Sequence, residues 1–225
     1  MLTPRTVKAI FEIFQKNNHA PETELIYHNA FELLIAVVLS AQSTDKAVNR
    51  VTQKLFTVAN SAQKILDLGE AQLREHIKTL GLFNTKAKNI IKTCEILVAE
   101  YNGEVPKKRL QLQMLAGVGR KTANVLLNTL YGEATIAVDT HIFRVAHRLD
   151  LSQGNTPEKV EHDLMQIIPK KYLKNAHHWL VLHGRYICQA RRPKCDACPI
   201  NQYCITFTAL AKPLRQGLQP KLADH

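Results

Sequence analysis

Aromatic side chains are scarce in this chain: Phe, Tyr and Trp make up 6%, with a single Trp. A platform that stacks successive bases of a single strand is built from such rings, so that class is not expected. Long apolar runs are also missing. The longest, Leu33-Leu34-Ile35-Ala36-Val37-Val38-Leu39, has seven residues, against about twenty for a membrane span. Residues 1–15 mix Arg5 and Lys8 with helical apolar spacing and show no signal-type cleavage pattern. Alternation at period two is nowhere sustained, which leaves an all-α fold. Acidic residues are outnumbered, 19 Asp and Glu against 30 Lys and Arg, for a formal net charge of +11. That excess favours a polyanionic partner, nucleic acid before an anionic membrane surface. Cysteine is sparse, five residues, yet four fall among the last forty positions. In a reducing compartment, cytoplasmic and nucleoid-associated, such a cluster reads as metal ligands rather than disulfides.

Apolar residues at helical spacing are what the chain does have. Val7, Ile10, Phe11 and Phe14 predict an amphipathic helix over 6–16. Residues 30–40 are apolar all round and predict the buried central helix. Thr44 or Asp45 can cap the next helix, which carries Val48, Val51, Leu55 and Val58. Ser61 starts another, whose Leu73, Ile77 and Leu80 run to Gly81 as the expected C-cap. A clear helix over 85–101 closes at Asn102-Gly103. Further helices are expected over 140–149, from Thr156-Pro157-Glu158, and over 177–186. Cys94 falls on an apolar face and reads as a small core residue. From about Lys212 the periodicity is lost and the chain reads as a loose tail.

The chain is organised around Leu115-Ala116-Gly117-Val118-Gly119-Arg120-Lys121-Thr122-Ala123-Asn124-Val125. It reads as a helix, a Gly-rich turn, and a helix over about 120–130. Two glycines allow positive φ, so backbone N–H groups can face outward at a positive helix end, a natural anion site. Arg120 and Lys121 follow at once, which makes phosphate the natural anion. By position alone Lys121 is a phosphate-binding lysine or a nucleophile. A nucleophilic lysine must be neutral, with its pKa lowered by burial or nearby positive charge. Asp139, in Val138-Asp139-Thr140-His141, is a helix N-cap, a functional carboxylate, or both. His141 reads as a hydrogen-bonded structural histidine. On the residues alone, Leu82 reads as core and Gln42 as a cap.

Near the C-terminus stands Cys188-x6-Cys195-x2-Cys198-x5-Cys204. Four thiolates this close can close around one centre; structural zinc is the general alternative, usually built from two short-spaced pairs. Taken in order, the Gly hairpin with its lysine, Val-Asp-Thr-His-x-x-Arg and this 6-2-5 cysteine spacing resemble the endonuclease III family of DNA glycosylases with abasic-site lyase activity. The resemblance spans residues 5–207.

The resemblance implies an all-α fold of two helical domains with a DNA-binding cleft between them. Residues 22–132 would form a central six-helix domain with a helix-hairpin-helix. Residues 1–21 and 133–207 would form an iron–sulfur domain, and 208–225 a tail. It implies a base-excision repair enzyme that removes oxidised pyrimidines from duplex DNA carrying a damaged base or abasic site. Lys121 would attack the sugar, form a Schiff base and cut by β-elimination, with Asp139 as the catalytic carboxylate. Gln42 and Leu82 would fill the gap left by the flipped nucleotide. Gly117, Val118, Gly119 and Arg120 would contact DNA through the hairpin. Arg191, Arg192 and Lys194 would do so through the cysteine loop. Cys188, Cys195, Cys198 and Cys204 would hold a [4Fe–4S] cluster. The expected state is a monomer with no membrane partner.

Three positions depart from the family pattern. Ala116 replaces the usual proline of the hairpin, Ser43 a common small apolar residue, and Gln113 a frequent acid. Two rivals stand beside this reading, a monofunctional glycosylase and a non-catalytic helix-hairpin-helix protein.

Overall fold

The computed structural model describes residues 2–209. Expectations for the tail beyond 209 therefore lie outside the described residues. Helices follow one another there, with no strand among the described residues, and helical residues at 205–209 come last. The α-helices before them are α1 (Pro4–Asn17), α2 (Ala30–Leu39), α3 (Asp45–Val58), α4 (Ala62–Ile77), α5 (Phe83–Tyr101), α6 (Arg109–Met114), α7 (Arg120–Tyr131), α8 (Thr140–Arg148), α9 (Pro157–Ile167) and α10 (Lys170–Tyr186). The chain divides into two compact units, residues 22–137, and residues up to 21 together with those from 138.

In the 22–137 unit α2 is the buried centre. Its start is fixed by a reciprocal cap: Asn29 Oδ1 accepts from the Glu32 N–H at 2.8 Å, and Glu32 Oε2 accepts from the His28 N–H at 2.7 Å. Leu33, Leu34, Ile35 and Leu39 are fully buried, each contributing about 1.5–3 kcal/mol by leaving water. α3, α5 and α7 pack against this helix. Thr44 and Ser61 cap α3 and α4, accepting from Ala47 N–H and Lys64 N–H. Gly81 does not cap α4. That helix ends at Ile77 with Lys78 in right-handed conformation. Gly81 instead lies in the following turn, where Leu80 N–H bonds to Ile77 O at 2.9 Å. Asn102 closes α5 in left-handed conformation, as its sequence predicts.

This unit runs to Ala137. Side chains on α7 hold its last residues. Asn128 Nδ2 donates to Glu133 O at 2.8 Å and Thr135 O at 3.3 Å, and Asn124 Nδ2 donates to Ile136 O. Thr135 Oγ1 donates back to Asn124 O at 2.6 Å.

In the other unit α8 packs on α9 and α10, and α1 on α10. Phe11 stacks on Tyr172 at 6.0 Å and Phe14 on Trp179 at 6.5 Å between ring centroids. Trp179 Nε1 donates to Asn18 O at 2.8 Å, so the one indole is satisfied. α10 begins at Lys170, seven residues before its expected start. Tyr172, Leu173 and Ala176, buried on one side, extend its packing stripe backwards.

Candidate nucleic-acid interface and metal centre

The turn between α6 and α7 is held from inside by α5. Gly117 has φ +79°, and a Cβ there would lie 3.0 Å from Asn89 Nδ2. Glycine is required at that position both for the left-handed backbone and for the close approach. Gly119, with φ −83° and ψ −178°, is extended, so only one of the two glycines uses its freedom. Ala116 O accepts from Thr93 Oγ1 at 2.9 Å.

α7 starts at Gly119 with no side-chain cap. Its first-turn N–H groups, on Arg120, Lys121 and Thr122, lack intrahelical acceptors. This is the positive end of a 12-residue helix. Lys121 lies in that first turn, exposed, with no hydrogen-bond or ion-pair partner among the described residues. Arg120 is exposed beside it. Val118 is 4% exposed, and its N–H bonds to Leu115 O at 3.1 Å, so its side chain packs inside the turn.

Gln42 and Leu82 sit at the tips of two turns in the same unit. The first turn is closed by the Ser43 N–H to Ser40 O at 3.0 Å. Both residues adopt left-handed backbone, φ +53° at Gln42 and +59° at Leu82, which costs a non-glycine residue roughly 1–2 kcal/mol. Gln42 is exposed, and so is 53% of Leu82. The core reading of Leu82 from residue type alone is thereby overturned. The turns lie close together: a Cβ on Gly81 would lie 3.4 Å from Gln42 O.

The chain signal that reasoning from motifs missed lies on α5. Lys86, Asn89 and Thr93 follow Leu82 at spacings of four, three and four. At 100° per residue these four positions fall within about 60° of one another. Lys86 reaches the Gln42 turn, Asn89 lies under Gly117, and Thr93 holds Ala116. A polar stripe on a helix whose neighbouring positions are apolar was the available clue.

In the other unit Asp139 is the N-cap of α8, its Oδ1 accepting from the Ile142 N–H at 2.8 Å. Its Oδ2 has no protein partner among the described residues, so the cap leaves one oxygen for other work. His141 Nδ1 pairs with Arg144 Nη2 at 3.2 Å. Arg144 also donates to Gly184 O at 2.7 Å and Cys188 O at 2.9 Å, fixing α8 to the end of α10.

Cys188, Cys195, Cys198 and Cys204 line one cavity of about 100 Å³ with Arg148, Ile187, Pro193 and Phe207. A single water needs about 10–15 Å³ of such space, so this cavity is far larger than one ion. Four sulfur donors around a mostly apolar chamber suit a polynuclear cluster bound through thiolates. Burial, then the neighbouring thiols Cys204 and Cys188, push the Cys195 thiol up; burial does the same to Cys198. Four thiolates at this spacing need a cationic centre to be stable together. Arg148, unflagged by motif, donates to Cys188 Sγ at 3.4 Å, Gln189 O at 2.7 Å and Ala190 O at 3.0 Å. Arg191, Arg192 and Lys194 are exposed on the loop between the first two cysteines. Cys94 is buried as expected, its thiol pushed up to about 12 by burial.

Among the described residues no helix is long and apolar enough to cross a membrane. Residues 35–170 match the HhH-GPD superfamily of base excision DNA repair proteins, and residues 188–204 match the iron-sulfur binding domain of endonuclease III. Endonuclease III of Rickettsia felis is 60% identical, over 88% of this chain and 93% of its own length. Endonuclease III of Escherichia coli is 54% identical, over 84% and 90%. A trapped endonuclease III–DNA covalent intermediate, an estranged-adenine complex, matches with a TM-score of 0.88 at 41% identity, over 93% of this chain and 99% of that one. Identity at this level along so much of both sequences means that the chain belongs to the endonuclease III family, with a [4Fe–4S] cluster as its cofactor.

Proposed function

We propose that this protein is a bifunctional base-excision repair enzyme: a DNA glycosylase for oxidised pyrimidines in duplex DNA and an abasic-site lyase. The observation that carries the reading is Lys121, an exposed amine with no partner among the described residues, on the first turn of a helix whose end is not capped by a side chain. The open N–H groups of that turn bind a backbone phosphate, which brings a nucleotide's sugar to the amine.

Lys121 Nζ, in its neutral form, attacks C1′, and the bond from C1′ to the base breaks with the base leaving. Loss of a proton and opening of the sugar ring give an imine. The imine makes the C2′ proton acidic; its removal expels the 3′ phosphate by β-elimination. Asp139 offers Oδ2 to stabilise positive charge developing on the sugar and to help Lys121 shed its proton. Gln42 and Leu82 fill the space vacated by the flipped nucleotide, the leucine as an apolar wedge and the glutamine as a hydrogen-bonding partner for the orphan base. Cys188, Cys195, Cys198 and Cys204 would hold the cluster. Its iron–thiolate bonds would fix the loop that presents Arg191, Arg192 and Lys194 to the phosphate backbone, where they add salt-dependent affinity.

The 22–137 unit is then the hairpin domain and the other the iron–sulfur domain. The protein acts as a monomer on duplex DNA with a damaged base or abasic site, in the cytoplasm and associated with the nucleoid.

Borohydride trapping on duplex DNA with one abasic site tests this directly. Wild type should form a covalent adduct, and folded Lys121→Ala should form none and leave the strand uncut. Strand cleavage retained by Lys121→Ala would remove it as the nucleophile. No adduct from cluster-loaded wild type would favour a monofunctional glycosylase.

A further inference from the structure

Lys86 belongs to no motif, yet it is 4% exposed. An ammonium taken out of water is costly unless something in the fold compensates it. Its one side-chain hydrogen bond among the described residues is to Ser43 Oγ, at 3.0 Å. Burial alone accounts for its lowered pKa. Neutral methionine would fill the same space without that penalty. The other end of Lys86 is equally placed: its backbone N–H donates to Leu82 O at 2.9 Å. One residue thus holds the Leu82 turn through its main chain and the Gln42 turn through its side chain.

The tips it joins are strained. Gln42 and Leu82 both hold left-handed backbone, a conformation that persists in non-glycine residues only where the surroundings enforce it. The two turns lie close at Gly81, where even a Cβ would meet Gln42 O at 3.4 Å, but mere proximity has no direction. The Lys86–Ser43 hydrogen bond has one, and Ser43 is the residue immediately after Gln42.

We propose that Lys86 is a positioning residue that couples the Gln42 and Leu82 turns, so that the two side chains enter the duplex as one preset pair. The inference rests on reading Gln42 and Leu82 as gap fillers. Ser43, a departure from the family pattern, is then the acceptor that completes the tie. The tie acts when the nucleotide is extruded and not when intact duplex is bound, which separates it from a purely structural role.

The test uses Lys86→Met, Ser43→Ala and Gln42→Ala in the cluster-loaded protein. It reads the single-turnover excision rate on lesion-bearing duplex, the Kd for undamaged duplex, and the thermal midpoint. Lys86→Met and Ser43→Ala should each slow excision about ten- to hundredfold while the undamaged-duplex Kd stays unchanged. Either change combined with Gln42→Ala should be no slower than Gln42→Ala alone, because both remove the same event. Wild-type rates in Lys86→Met and Ser43→Ala beside a slow Gln42→Ala would overturn the tie alone. So would losses that multiply in the double variants, or an equal loss of undamaged-duplex binding. A wild-type rate in Gln42→Ala would overturn the gap-filling reading, and the tie with it. Should Lys86→Met fail to fold, Ser43→Ala, which removes only a half-buried hydroxyl, decides the matter by the same criteria.

Discussion

Thr93 Oγ1 donates a hydrogen bond to Ala116 O at 2.9 Å, from a side chain that is 1% exposed. It fixes the carbonyl of the residue that stands where the family's hairpin usually has proline. A proline restricts a turn through its ring; here a buried hydroxyl restrains the same place from below. Thr93→Val keeps the shape and leaves that carbonyl without its partner. It should cost about 1–3 kcal/mol of stability and weaken duplex binding, read by urea denaturation and by a Kd at fixed salt. Unchanged values in both would show that the turn holds without this bond.

Leu82 carries two opposed demands, and substitution should separate them. Its left-handed backbone suits glycine better than leucine, so Leu82→Gly should leave the thermal midpoint unchanged or raise it. Removing the exposed side chain should still slow excision of a duplex lesion, by about tenfold or more if the wedge supplies a kcal/mol or two. A Leu82→Gly protein that is less stable and fully active would contradict both halves.

Arg148 binds the first cysteine's sulfur and the carbonyls of the two residues after it. Arg148→Gln removes a charge-assisted set that should be worth about 2–4 kcal/mol to this loop. Lower iron content per protein and faster bleaching of the visible iron–sulfur absorbance in air are expected, with the helical circular dichroism retained. Full iron content at wild-type bleaching rates would mean that the loop is held without the guanidinium.

Stability should fall on mild acidification through His178. Burial lowers its pKa from 6.5 to about 4, so the folded state keeps it neutral where the unfolded chain charges. Between those two values the unfolded state binds the extra proton, and stability therefore drops as pH falls from about 6.5 towards 4. The full difference is at most about 3 kcal/mol. His178→Gln, which cannot titrate, should make that part of the stability–pH curve shallower, with the similarly buried and lowered His183 keeping the rest of the slope; a slope identical to wild type would assign the titration elsewhere.

Much of the fold was legible because its signals are local. Thr44, Ser61 and Thr156 cap their helices where the sequence places them, since a cap depends on a side chain and an N–H two or three residues away. The all-round apolar stretch at 30–39 became the buried helix because no face of it could meet water. The cysteine spacing is covalent arithmetic, and it brought four thiols to one cavity. Helix boundaries were less secure. Gly81 failed as a cap, and α10 began early, because packing rather than residue type ended one helix and extended the other.

The sequence by itself determined the helices, the hairpin with Lys121 at its open helix end, and the cysteine loop, because each follows from chemistry within a few positions of the chain. Only the tertiary structure decided which side chains face water and which hold one another. It turned Leu82 outward and Val118 inward, and set Thr93 beneath a carbonyl 23 residues away. It also joined Lys86 to a hydroxyl 43 residues away and Arg148 to a thiol 40 residues away. Exposure and long-range hydrogen bonds depend on how helices pack, and packing is a property of the whole set of apolar faces rather than of any one stretch.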